Sequence, residues 1–295
     1  MKILVTGGAG FIGSNVVDRY ITDGHDVVVV DNLSTGKKAN LNPNAKFYQM
    51  SIKEEGLEEV FKREKPDIVN HHAAQIDVRK SVAEPVYDAG INIIGSLNLF
   101  QQCTKYKVKK VIFASSGGAG YGEQVRFPAD EEHPLQPLSP YGIAKVSVEL
   151  YLYFYGVTYG LDYTILRYAN VYGPRQDPLG EAGFVAIFTN AMIENEVPVI
   201  NGDGKQTRDY VYIDDVVEAN ELSLSKGSGE AFNIGTGIET DVNEFNNKST
   251  MNKVLEYMVL GKAIVQFDMR EGRYSAQDAS LYSKDYILPL SLFSK

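Results

Sequence analysis

The chain has 295 residues, 44% hydrophobic and 23% charged, with a formal net charge of -9. That is ordinary globular composition with room for a large core; the acidic balance argues against a nucleic-acid partner, and no apolar run approaches the ~20 residues of a membrane span. The single cysteine, Cys103, rules out an internal disulfide and reads as a small core residue in a reducing, cytoplasmic setting.

Met1-Lys2 leads directly into Ile3-Leu4-Val5-Thr6, a short strand-like run without the layout of a signal peptide. Gly7-Gly8-Ala9-Gly10-Phe11-Ile12-Gly13 and a helical stretch to Asp23 follow. After the turn Gly24-His25-Asp26, Val27–Val30 is a β-branched run suited to a strand buried on both faces, and Asp31 ends it. Strand, glycine turn, helix, strand and acid make a βαβ unit. Strands are expected over 46–50, 67–70, 110–114 and 163–168, and helices over 54–65, 84–105 and 140–159. This alternation predicts an α/β fold with a doubly wound parallel Rossmann sheet. From about Val171 the rhythm fails. Turn residues at 173–178, a helix over 184–194, more turn residues at 198–204 and a strand over 210–213 predict a smaller mixed lobe.

Gly7, Gly10 and Gly13 permit a tight turn and close approach of backbone to a pyrophosphate, with the N–H groups of the next helix holding the phosphates. Asp31, about 20 residues beyond, stands where a carboxylate accepts from a ribose 2′-OH and repels a 2′-phosphate. NAD is therefore expected in preference to NADP. Tyr141 and Lys145 lie one helical turn apart in Ser-Pro-Tyr-Gly-Ile-Ala-Lys and share one helix face. A nearby positive charge favours the phenolate, which makes a base near neutral pH from a side chain whose free pKa is ~10. A nucleotide turn with such a pair points to redox chemistry on an alcohol. His71 and His72 end a buried strand and read as packing; no metal site is expected.

Thr6-Gly7-Gly8-Ala9-Gly10-Phe11-Ile12-Gly13-Ser14, Asp31-Asn32-Leu33-Ser34-Thr35-Gly36, Pro140-Tyr141-Gly142 with Lys145, and Leu166-Arg167-Tyr168-Ala169-Asn170-Val171-Tyr172-Gly173-Pro174-Arg175-Gln176 occur in that order. Together they resemble the extended short-chain dehydrogenase/reductase family, and within it the UDP-glucose 4-epimerases, over about residues 1–245. The resemblance implies that Gly7, Gly10, Phe11, Ile12, Gly13, Asp31 and Asn32 contact NAD at the pyrophosphate and adenosine. It places Ala73, Ala74 and Asn92 along the cofactor's path, Lys145 on the nicotinamide ribose and Tyr168 nearby. Tyr141 is then the base, while Asn170 and Arg208 hold the UDP part of a UDP-sugar substrate. The implied division is an NAD-binding domain over 1–170, a substrate-binding lobe over 171–245 and an atypical tail over 246–295 packed on that lobe. A homodimer is implied through helices near 92–105 and 141–159; the tyrosines at 151, 153, 155 and 159 suit either that interface or packing within the chain.

Two stretches depart from the family pattern. The catalytic Ser/Thr usually stands four residues before Tyr-Gly, where Ser115-Ser116-Gly117-Gly118-Ala119-Gly120-Tyr121-Gly122 places Gly117. Ser116 is preferred over Ser115 as the proton relay, and Gly120 suggests an unusually flexible loop. After Asn243-Glu244-Phe245 the pattern fades. Residues 249–282 resemble a fragment of a Rossmann-type nucleotide-sugar glycosyltransferase, too short for a catalytic domain of its own. A gene rearrangement and a diverged tail that keeps Arg270 as a phosphate ligand both account for it. The leading expectation is an NAD-dependent UDP-hexose 4-epimerase. Alternatives are a non-catalytic NAD-binding protein and a nucleotide-sugar 4,6-dehydratase, which would need an acid where Gly117-Gly118 stand.

Overall fold

Unbroken runs of Val, Ile and Leu need cover on both faces, and alternate residues along them must find different cores. A computed structural model of the chain describes residues 1–178, 183–194, 196, 199 and 203–241. In it Ile3 and Val5 of β1 (Lys2–Thr6) join one core, with Val27 and Val29 of β2 (Asp26–Asp31). Leu4, Val28 and Val30 join the other. Helix α1 (Phe11–Thr22) connects these strands, and β3 (Lys46–Gln49) lies at the sheet edge.

Helix α2 (Leu57–Glu64) leads to β4 (Ile68–His71). The helix expected over 84–105 runs from Pro85 to Lys105 as α4 (Pro85–Ala89), a π-helical turn Gly90–Ile94 and α5 (Gly95–Lys105), and a short helix α3 (Val78–Ala83) precedes it. Pro85 at the start of α4 separates it from α3, since proline supplies no N–H to a preceding turn. Cys103 of α5 is fully buried, as expected of a core residue. Next come β5 (Lys110–Ser116), α6 (Gly117–Tyr121), α7 (Pro140–Tyr159) and β6 (Asp162–Tyr168). The flexible loop expected around Gly120 is thus a short helix, and α7 explains why. A Cβ on Gly142 would lie 2.3 Å from the Ala119 carbonyl oxygen, so α6 seats directly on the first turn of α7.

Short strands β7 (Asn170–Tyr172) and β9 (Tyr210–Tyr212) pair in parallel. Between them lie α8 (Phe184–Ile193) and β8 (Thr207–Arg208). Ile213 opens α9 (Ile213–Leu222) rather than ending a strand, and β10 (Glu230–Ile234) and β11 (Thr240–Asp241) follow. The main sheet has seven strands in the order β3-β2-β1-β4-β5-β6-β10, all parallel.

The described residues fall into two compact units, those within 1–187 with 209–238 and those within 188–208 with 239–241. The chain therefore returns to the sheet for α9 and β10, residues that the sequence assigned to the lobe over 171–245. Asn220 on α9 shows the reason: it is fully buried and its carbonyl accepts from the Tyr20 hydroxyl of α1 at 3.1 Å. In the second unit β8 and β11 form an antiparallel pair. The tail expected over 246–295, with its transferase-like segment, lies outside the described residues.

Candidate active site

The order of the sheet reverses between β1 and β4, and the crevice beyond the carboxyl ends of those two strands is where such sheets bind ligands. There the backbones nearly touch. Gly7, at φ +70°, leaves no room for a side chain: a Cβ would lie 2.7 Å from the Ala73 nitrogen. On Gly13 it would lie 2.3 Å from the Gly7 carbonyl oxygen. Gly10 caps α1 without any side-chain hydrogen bond, so the first N–H groups of this 12-residue helix keep their donors for a ligand. Phe11 and Ile12 are the first residues of that turn.

Asp31 closes β2 and is 7% exposed. Its Oδ2 accepts from the Ala9 N–H at 3.0 Å and its Oδ1 from the Leu33 N–H at 2.7 Å. The acid thus ties the glycine turn to the loop after β2 and still keeps lone pairs for a hydroxyl. Asn32 braces the same loop by accepting from the Ser34 N–H. Ala73 donates its N–H to Thr6 Oγ1 at 3.2 Å, and Ala74 continues that segment. Asn92, in the π-helical turn, accepts from the Gln75 N–H at 2.8 Å and donates to the Gln75 carbonyl at 2.9 Å. It holds the backbone just after the two alanines at both polar groups. Asp88 Oδ1 accepts from Asn92 Nδ2 and Gln75 Nε2, each at 2.9 Å, and completes the clamp.

Helix α7 starts on Ser139, whose Oγ accepts from the Gly142 N–H at 3.1 Å, and Pro140 presets its first turn. Tyr141 and Lys145 share one face, the ammonium 5.7 Å from the centre of the phenol ring. Lys145 is 5% exposed and donates to the Ala114 carbonyl at the end of β5 at 2.8 Å. Burial lowers its pKa to about 8 against the support of Asp88 and Glu149, so near neutral pH it is mainly charged. The phenol differs from expectation. Burial pushes Tyr141 upward, and the charge of Asp88 acts in the same direction. Desolvation is the larger cause, and the Lys145 ammonium points a donor at the Ala114 carbonyl.

At the end of β5 the two serines separate in role. Ser115 is 4% exposed and donates to Glu149 Oε1 at 2.5 Å. Ser116 pairs with Tyr168 across β5 and β6 and caps α6, its Oγ accepting from the Ala119 N–H at 3.4 Å. Its own hydrogen enters no bond among the described residues. The Tyr168 hydroxyl accepts from Asn220 Nδ2 at 2.8 Å, and its ring stacks on His72 at 6.2 Å. His71 is held at both ring nitrogens, by Thr6 Oγ1 at 2.7 Å and Ser96 Oγ at 2.9 Å. Burial drives the pKa of His71 well down and that of His72 to about 3, so neither supplies an acid near neutral pH. The two predicted substrate ligands belong to different units: Asn170 lies in the first, donating its N–H to the Asp209 carbonyl at 2.9 Å, and Arg208 is exposed in the second.

Residues 3–235, most of the chain, match the NAD dependent epimerase/dehydratase family. The chain belongs to this family. It is 52% identical to a putative UDP-glucose 4-epimerase of Methanocaldococcus jannaschii, over 82% of this chain and 79% of that protein. Among solved structures, the UDP-glucose 4-epimerase of Thermotoga maritima with UDP-glucose is 55% identical, with TM-score 0.83, covering 92% of this chain and 87% of that one. That of Thermus thermophilus in complex with NAD is 42% identical, with TM-score 0.80, covering 92% and 88%. The chain is an enzyme of the epimerase type, with NAD as its cofactor. The residues present fit NAD: a glycine cradle that any Cβ would fill, an uncapped helix N-terminus and an acid at the end of β2.

Sequence reasoning missed several residues that build this member of the family's site. Glu149, Tyr121, Asn220 and Asn233 were not singled out, and Arg167 appeared only inside a motif. The signal was present for two of them. Glu149 lies one turn beyond Lys145 and shares with it the charge of a largely uncharged helix, and Arg167 interrupts the apolar run of β6. An ionic group in a buried run needs a partner.

Proposed function

We propose that the enzyme is a 4-epimerase of a UDP-hexose, interconverting UDP-glucose and UDP-galactose or a close relative of that pair. The observation that carries this reading is the Tyr141–Lys145 face of α7, fastened by Lys145 to Ala114 of β5 two residues before Ser116, beyond the same sheet that bears the glycine turn. NAD, when bound, would supply the redox chemistry, accepting a hydride from C4 of the sugar for return to the opposite face, and its positive charge would favour the phenolate. Tyr141 takes the proton of the 4-OH and gives it back after the 4-keto sugar has turned over. Ser116, whose oxygen is held by the Ala119 N–H, turns its hydrogen to relay that proton. Lys145 has three donors and uses one on Ala114, which leaves two for ribose hydroxyls and keeps a positive charge beside the phenol. Asn170 and Arg208 are assigned to the UDP moiety, an arginine fork being well matched to a diphosphate.

The dehydratase reading has little support, because Ser116-Gly117-Gly118 offers no acid to protonate a leaving hydroxyl and α6 contains only Gly, Ala and Tyr. Assembly as a homodimer through α5 and α7 fits the outer face of α7, where Ile143, Leu150, Tyr153, Phe154 and Val157 are exposed. A reducing, cytoplasmic setting suits the lone buried Cys103. No helix among the described residues is long and apolar enough to cross a membrane. The decisive test is Tyr141→Phe, assayed for UDP-galactose conversion and for bound NAD. Turnover should fall at least about 100-fold, the usual cost of a lost general base, with NAD retained. A variant that keeps more than about a tenth of the rate overturns the assignment.

A further inference from the structure

Helix α6 has five residues, three of them glycine. Such a segment holds itself weakly, since one turn makes few internal bonds and glycine carries the largest backbone entropy. Yet Ser116, at its N-cap, must keep its oxygen in register with Tyr141. The means lie beneath it. Arg167 on β6 and Glu149 on α7 form a buried, forked ion pair, Nη2 to Oε2 at 2.6 Å and Nε to both carboxylate oxygens at 3.2 Å. The side chains are 8% and 6% exposed. Their remaining hydrogen-bonding capacity goes to the two ends of the α6 segment. Before Ser116, the Ser115 hydroxyl donates to Glu149 Oε1 at 2.5 Å. After it, Arg167 Nη1 donates to the Tyr121 hydroxyl at 3.1 Å, and that hydroxyl donates to Asn233 Oδ1 at 2.6 Å. The same Nη1 reaches the Glu131 carbonyl at 3.1 Å and tethers the stretch that leads back to α7.

We infer that the Glu149–Arg167 pair is a positioning device for Ser116, fastening the chain on both sides of that hydroxyl through Ser115 and Tyr121. The inference rests on the proposed role of Ser116 as a proton relay. Burying two charges is costly, and apolar residues of similar volume commonly serve stability as well or better. A pair whose spare donors and acceptors reach Ser115 just before α6, Tyr121 at its end and Glu131 beyond it is better explained by the placement of that stretch. The contact between Gly142 and Ala119 couples α6 to the first turn of α7, so a loosened α6 changes the spacing between Ser116 and Tyr141. Small displacements of reacting groups are expensive in rate.

Two mild variants, Ser115→Ala and Tyr121→Phe, each cut one tether by deleting one hydroxyl. They are compared with Ser116→Ala and with the two double variants in the holoenzyme, measuring kcat and KM for UDP-galactose and the NAD content of the protein. Each tether variant should lower kcat by roughly 10- to 100-fold, leave KM and NAD content nearly unchanged, and cost nothing further once Ser116 is alanine. Ser115→Thr should recover most of the rate by restoring the hydroxyl. Effects that multiply with Ser116→Ala, or tether variants that turn over normally while Ser116→Ala is slow, overturn the positioning role and leave the relay standing. Normal turnover by Ser116→Ala overturns the relay itself, and this inference with it.

Discussion

The two ends of the main sheet use charge in different ways. At the amino ends of the strands the ion pairs open to water through their lysines, although Glu64 and Lys110 are themselves buried. Lys2 reaches Asp26 at 3.1 Å and Glu64 at 3.2 Å, Lys46 and Tyr48 share Glu64, and Lys109 meets Asp67 at 2.8 Å. The side chains of these three lysines are 29% to 72% exposed. At the carboxyl ends Asp31, His71, Ser115, Lys145, Glu149 and Arg167 are all buried, and each has a defined hydrogen-bond partner. One sheet supports both, so the contrast belongs to what each end must do. Exposed pairs decorate a surface and are worth little. Buried polar groups are high-stakes, and here they sit where a site has to keep its geometry.

Substitutions at the two ends should differ accordingly. The largest effect is expected at the glycine turn. Gly13→Val drives a side chain into the Gly7 carbonyl and should abolish NAD binding, read as the NAD content of purified protein; a normal content would show that the turn is not the cofactor cradle. Next is Arg167→Leu, which strands the buried Glu149 carboxylate and should cost about 3–5 kcal/mol in denaturant unfolding. Converting both partners to apolar residues should recover most of the stability but not the turnover, separating placement from folding.

Effects at the amino ends should be smaller and tied to pH. Burial of Glu64 raises its pKa, but hydrogen bonds from Lys46, Tyr48 and Lys2 outweigh that and set it at about 2, below the ordinary 4.5. A carboxylate with a depressed folded pKa adds stability above its unfolded pKa, and that stability is lost as pH falls through the folded value, because the unfolded chain then binds more protons. Glu64→Gln should therefore flatten the loss of stability between pH 4.5 and about 2 in acid melts, with little effect on turnover at neutral pH. Lys109→Ala should be the mildest, within about 0.5 kcal/mol, since its partner Asp67 also accepts from the Lys2 N–H. A cost of several kcal/mol there would erase the contrast between the two ends.

Periodicity and punctuation were enough to read the alternating elements, the glycine turn, Asp31 and the Tyr141–Lys145 face, because each depends on residues close together in the chain. A strand buried on both faces must be apolar throughout, a turn that admits no Cβ must be glycine, and four residues make one helical turn. Tertiary structure alone decided the rest. It sent α9 and β10 back to the sheet, because a buried asparagine on α9 meets a tyrosine of α1 some 200 positions away. It split the two serines, giving Ser115 to Glu149 and leaving the Ser116 hydrogen without a bond among the described residues. It also reversed the expected direction for Tyr141, since a sequence shows that a lysine is near but not how much water has been removed from the phenol or where the ammonium points. Burial and long-range hydrogen bonding are properties of the packed chain, and no local pattern of residues encodes them.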